Sequence, residues 1–369
     1  MWCKFSPCMA DTRCPRAFRL ALKFRLGRRA QSQNRFDVSA MVRYFFTVSD
    51  LFASISQPNE FKTRLQHAVQ GLAREHVLIG TSSWKYPGWC GQIYEEQRYC
   101  HRGRFAKARF ERECLAEYAE TFRTVCVDAV YYQFPSAQFL NDLVARVPAD
   151  FQFACKVTAD LTLKRFPNLP RFGRRAGQAN AHFLDADLFH HAFLQPCVPF
   201  RRNLGLLIFE FSRFHPADYE RGRDFLADLD RFFARLPAGW NYGVEIRNRE
   251  WLQPEYFATL RQHGVVHVFN NWQAMPAVAE QMKLPGSETS DTLVAARFLL
   301  QPGRKYADAV REFSPYQAVK EVNAEARTAG AKLLGAARQA GKQAFIFVNN
   351  RLEGNALETI HAMVAGAGP

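Results

Sequence analysis

From residue 77 to about 366 the chain repeats one unit eight times: a short apolar run, a polar loop, then an amphipathic stretch. The apolar runs are 77–82 (VLIGTS), 124–130 (TVCVDAV), 151–157 (FQFACKV), 204–211 (LGLLIFEF), 241–246 (NYGVEI), 265–270 (VVHVFN), 293–299 (LVAARFL) and 343–348 (QAFIFV). Near-continuous apolar runs are expected of parallel strands covered on both faces. Helical patterns lie between them, as at 110–122, 217–236 and 254–264, the last opening on Pro254 and closing at Gly264. Eight strand–helix units predict an α/β fold, a (β/α)8 TIM-type barrel, ahead of an open doubly wound sheet. No GxGxxG follows the first run, which weakens the nucleotide-binding version of the open sheet. A preceding helical pattern at 60–74 is expected to pack against the bottom of the barrel, so the predicted domain is 60–366.

The stretch VLIGTSSWKYPGW (77–89) ends a buried strand in hydroxyls and aromatics, which fits the end of a barrel where sites are built. Gly80 is expected to permit a turn or a close approach there, Thr81 and Ser82 to bring hydroxyls, and Trp84, Tyr86 and Trp89 to form a wall. The other strand ends are unusually charged: Asp128, Lys156, Glu210, Glu245 with Arg247, and Arg297. Asn270, Asn271, Asn349 and Asn350 close the sixth and eighth strands. Glu245 and Glu210 are the candidate acid–base pair. Lys156, Arg247 and Arg297 are candidate clamps for a phosphate or carboxylate, with Asn349 and Asn350 orienting the ligand. The competing expectation is that these charges satisfy one another, Lys156 with Glu210 and Glu245 with Arg297, because buried charges must be paired whatever they do.

Metal and covalent chemistry have thin support. His267 is the only histidine inside a strand, the spacing of Cys90, Cys100 and His101 matches no zinc pattern, and no GxSxG is present. No metal site and no cofactor is assigned; were a metal bound, Glu210, Glu245 and His267 would be the ligands to test. Nine cysteines without a CxxC pair read as reduced thiols in a cytosol.

The net charge of +14 invites a nucleic-acid reading. Half of that excess sits in residues 1–40, so 1–59 is expected to be a basic extension, partly disordered, with Met41 as an alternative start. It lacks the uninterrupted apolar core of a secretory signal, and no window of the chain has the length of a membrane span. A second basic segment, 162–182, carries five Lys and Arg interleaved with Phe166 and Phe172, as a lid or a polyanion-binding arm over the barrel mouth would.

Taken together, the motifs IGTSSWKYPGW, YYQFPS (131–136), FQFACK (151–156), LIFEF (207–211), VEIRNREW (244–251) and FVNNRLEGNA (347–356) resemble the YecE-like family, domain of unknown function 72. The resemblance covers roughly 77–366 and implies a TIM-type barrel; it implies no reaction. Members often have VEIN where this chain reads CVDA, placing Cys126 where Glu is common. FQLP becomes FEFS around Glu210, and Asn270-Asn271 replaces a terminal Asp. Thr81, Ser82, Trp84, Lys156, Glu245, Arg247, Arg297, Asn349 and Asn350 match best. The sequence therefore predicts a barrel that binds a small anionic or polyhydroxylated ligand at its C-terminal face, with hydrolase, lyase or isomerase chemistry if it turns over. The alternatives are a nucleic-acid-binding protein using loop 162–175 and a non-catalytic scaffold barrel.

Overall fold

The computed structural model describes residues 59–368. The expected basic extension thus lies, except for Asn59, outside the described residues. Eight strands form a closed parallel barrel: β1 (Val77–Thr81), β2 (Thr124–Val127), β3 (Gln152–Lys156), β4 (Leu204–Phe211), β5 (Tyr242–Ile246), β6 (Val266–Asn271), β7 (Leu293–Phe298) and β8 (Gln343–Val348). Each pairs with its neighbours in sequence, and β1 closes the ring against β8 and β2. Gly80 serves this closure and not a turn. A Cβ there would collide with the Thr124 carbonyl of β2.

The longer helices are α1 (Glu60–Arg74), α2 (Lys107–Thr121), α3 (Ala137–Val144), α4 (Gly222–Phe233), α5 (Pro254–Gln262), α6 (Tyr306–Phe313), α7 (Ala324–Gln339) and α8 (Ala356–Gly366). Three begin on an asparagine whose side chain accepts from the first turn: Asn59 from Lys62 N at 3.1 Å, Asn323 from Ala326 N at 2.9 Å and Asn355 from Glu358 N at 3.0 Å. α1 lies where the sequence places it, and Ala73 near its end packs on the apolar filling of the barrel. α4 is shorter than the expected 217–236. Tyr219 instead turns inward, meeting Phe214 edge-on and donating from its hydroxyl to Asp228 at 2.6 Å. The β3–β4 connection contains no long helix; short turns and a π-helical turn, Phe189–Leu194, cover the barrel with Phe189, Phe193 and Leu194. Among the described residues no helix is long and apolar enough to cross a membrane.

Side chains alternate across each strand, which divides the apolar residues into two sets. The inner set includes Leu78, Cys126, Ala154, Leu206, Ile208, Val268, Ala295, Phe345 and Phe347. The outer set packs under the helices and contains most of the aromatic residues. Counting two residues onward from the inner set reaches Asp128, Lys156, Glu210, Asn270, Arg297 and Asn349. The alternation therefore delivers these side chains to the C-terminal end of the barrel interior.

Candidate functional site: a balanced charge cluster at the barrel's C-terminal end

Glu210 and Glu245 are register partners on β4 and β5, which sets two carboxylates side by side. Like charges so placed repel, and two arginines bridge them. Arg247 Nη2 lies 3.2 Å from Glu210 Oε2 and 2.5 Å from Glu245 Oε1, while its Nε donates to Glu245 Oε1 at 2.9 Å. Arg297 Nη1 donates to Glu210 Oε2 at 3.1 Å and to Glu245 Oε2 at 2.7 Å. Lys156 Nζ adds a contact to Glu210 Oε2 at 2.7 Å. Asp128 stands at the edge, 4.0 Å from Lys156 Nζ and 3.5 Å from Arg297 Nη2. Both expected pairs, Lys156 with Glu210 and Glu245 with Arg297, are present within this larger network.

Burial grades through the cluster. Glu245 is wholly buried and Arg297 is 2% exposed, whereas the Asp128 side chain is 37% exposed. Glu210, Lys156 and Arg297 are held charged by their neighbours against burial. Burial alone would raise the Glu210 carboxyl, but Arg247, Lys156 and Arg297 hold it well below the usual carboxylate range. Burial would lower Lys156, yet Glu210 and Asp128 hold its ammonium up at about 12. Arg297 is likewise held well above its ordinary value against burial, chiefly by Glu245.

Two aromatic rings complete the cluster, and the sequence reading did not single them out. Lys156 Nζ sits 3.9 Å from the centre of the Tyr131 ring, and the Arg247 guanidinium sits 4.2 Å from that of Trp272. Each ring stands just beyond a strand end, in YYQFPS after β2 and NNW after β6. An aromatic within a few residues of a polar strand end was the available signal. Asp128 is not part of β2 as expected; the strand ends at Val127, and a helical turn, Ala129–Tyr132, follows. That turn brings Tyr131 over Lys156.

The remaining expected residues divide. The Ser82 hydroxyl is buried without a partner among the described residues, as are Arg297 Nε, Asn270 Oδ1 and Asn350 Nδ2. Thr81 instead faces α2: its hydroxyl lies 2.9 Å from the Tyr118 hydroxyl and donates to the Ser83 carbonyl at 2.7 Å. Trp84 is buried in the outer apolar core, its carbonyl accepting from the Tyr94 hydroxyl at 2.5 Å. Tyr86 packs between Trp89 and Tyr316, and burial pushes its phenol up to about 12. Asn349 and Asn350 shape the loop after β8, accepting from Arg351 N at 3.0 Å and from Ala356 N at 2.8 Å.

His267 falls on the other face of β6 from Asn270. It packs against Tyr256 and Phe257 of α5, with Nδ1 3.1 Å from the Tyr256 hydroxyl, and burial lowers it to about 4. The ligand set of Glu210, Glu245 and His267 is thereby broken up by the alternation of the strand. No group of three or more His, Cys, Asp or Glu suited to a metal occurs among the described residues.

The basic loop is folded. Phe166 and Phe172 bury together with Tyr131, Ala159 and Leu163 in a small core of their own. Lys164 lies 3.6 Å from Asp228, Arg165 lies 3.5 Å from Asp218, and Arg175 pairs with Asp160. Only Arg171 and Arg174 lack an acidic partner among the described residues of that loop, and Arg171 stacks on Tyr132 and Phe172.

Fold and site together define a TIM-type barrel whose C-terminal end carries a buried, charge-balanced polar cluster. The chain belongs to the DUF72 family of proteins of unknown function, whose model matches residues 78–368. It is similar in fold to a DUF72 family protein from Enterococcus faecalis, with 16% identity, a TM-score of 0.52, and coverage of 79% of this chain and 95% of that one. It is also similar to one from Thermotoga maritima, with 18% identity, a TM-score of 0.50, and coverage of 78% and 97%. No curated protein matches it.

Proposed function

We propose that the C-terminal end of this barrel binds a small polyhydroxylated molecule. One observation carries the reading: Asp128, Glu210 and Glu245 meet Lys156, Arg247 and Arg297 in one network, three negative charges against three positive. A net anion brought into the network meets cations that already share its own carboxylates, which is costly in a buried site. Hydroxyl groups bring no charge, and they both donate and accept. They match the mixture of unpartnered donors and acceptors at Arg297 Nε, Asn270 Oδ1 and Ser82 Oγ. Tyr131 and Trp272 border the cluster through the Lys156 and Arg247 cations that lie over their rings.

In a catalytic form of this reading, Glu245 and Glu210 are the proton-transfer groups. Glu210, held ionised well below the usual carboxylate range, has no proton to donate and would be only a weak base. Lys156, held protonated, would act as a fixed charge and not as an amine nucleophile. Polyanion binding through loop 162–175 has weaker support, since most of its cations are already spent on Asp160, Asp218 and Asp228.

Thermal unfolding of the full chain with a panel of free monosaccharides and alditols tests the proposal. A bound ligand at about 100 times its Kd stabilises by roughly 2.7 kcal/mol. A response that Asp128→Asn and Lys156→Met together abolish is the expected result. A panel in which no sugar or alditol raises the melting temperature overturns it, leaving the scaffold reading. Anionic counterparts alone raising it would favour the anionic ligand.

A further inference from the structure

The opposite end of the barrel carries a different arrangement of charge. Arg74 is the last residue of α1, His76 directly precedes β1, Arg123 directly precedes β2, and Arg202 lies two residues before β4. All four line one concavity of about 590 Å³, together with Gln152 and a single acid, Asp150. That volume is in the range of small-molecule sites. Asp150 meets only Arg123, at 3.3 Å. Neither Arg74 nor Arg202 has an acidic partner among the described residues, and Glu75 beside them is turned to Arg338 at 2.7 Å. Three guanidiniums against one carboxylate leave the concavity with two uncompensated positive charges before any contribution from His76.

We propose that this N-terminal end is a binding site for a multiply charged phosphate-type anion. Guanidinium groups present planar paired donors that match phosphate oxygens, and Arg74 and Arg202 are exposed and uncommitted. Arg123 is held in place at 20% side-chain exposure by the Ala119 and Phe122 carbonyls and by Asp150, so one guanidinium is fixed while two can close on a ligand. Residues 1–40 of the same chain carry nine Lys and Arg against two acids and so are the wrong sign to neutralise the concavity. A dianion or trianion of phosphate or pyrophosphate size supplies the missing charge. This site is independent of the one at the C-terminal end, and the two can fail separately.

Calorimetric titration of the full chain with inorganic pyrophosphate tests the assignment. Binding should weaken by about tenfold or more between low and high salt, because the attracting charges are exposed and screened. Arg74→Gln combined with Arg202→Gln should weaken it by about tenfold or more at low salt, since two charge-assisted contacts go. Asp150→Asn should act in the opposite sense and tighten it severalfold. Either absence of heat with the wild-type chain, or salt-sensitive binding that the double arginine variant leaves within about twofold, overturns the proposal. The second result would put the anion elsewhere on the chain. The Asp150→Asn arm keeps the test decisive if the double variant is poorly folded.

Discussion

The two ends of this barrel carry similar residues in opposite circumstances. At the C-terminal end Arg247 and Arg297 are nearly buried, and every positive charge of the cluster has a negative one within 4.0 Å. At the N-terminal end Arg74 and Arg202 are exposed, and one acid serves three arginines. Burial accounts for the difference. A charge taken out of water must be matched on the spot, whereas an exposed one is compensated by solvent and salt. Balanced charge inside a barrel therefore points to a ligand that does not disturb the balance, and unbalanced charge outside it to one that restores it.

The sharpest way to break the comparison is to unbalance the buried end. Glu245→Ala leaves Arg247 and Arg297 sharing the remaining carboxylates and should destabilise the fold by about 3–5 kcal/mol in chemical denaturation. Arg74→Gln at the other end should change stability by no more than about 0.5 kcal/mol. Similar costs at the two ends would remove the distinction. Acid titration sharpens it. Glu210 is held below its unfolded-state value, so its contribution is complete above roughly pH 4.3 and is lost as pH falls below that. The slope of stability on pH below that point should flatten in Glu210→Gln. Lys156 runs in the other direction: its contribution is complete below roughly pH 10.4 and is lost as pH rises to about 12. Lys156→Met should flatten that alkaline limb. Within the buried cluster the smallest effect is expected of Tyr131→Leu, which removes the ring from Lys156 and should cost roughly 0.5–2 kcal/mol.

Much of this architecture was legible in the chain itself. The eight apolar runs became eight strands, and β4 (204–211) and β8 (343–348) have the limits the sequence implied. The charged strand ends were also visible, and the period of two explains why Lys156, Glu210, Glu245 and Arg297 converge while His267 and Thr81 do not. Three things needed tertiary information. Gly80 answers to the backbone of a neighbouring strand, a constraint with no local signature. Trp84 looked like a ligand wall because it is aromatic and near a strand end, but it is used by the outer core. The basic loop looked open to a polyanion because its composition is basic. Its partners Asp218 and Asp228 lie more than fifty residues further along the chain, where no local reading would couple them to Lys164 and Arg165.

The measurement that tests the central claim most directly is a paired titration of the full chain with one responsive monosaccharide or alditol and with its phosphorylated form, repeated on Lys156→Met with Asp128→Asn. The account predicts that the neutral compound binds the wild-type chain and loses affinity in the variant, and that any added affinity of the phosphorylated form survives the variant. Binding of the phosphorylated form alone, abolished by the same two substitutions, would contradict it.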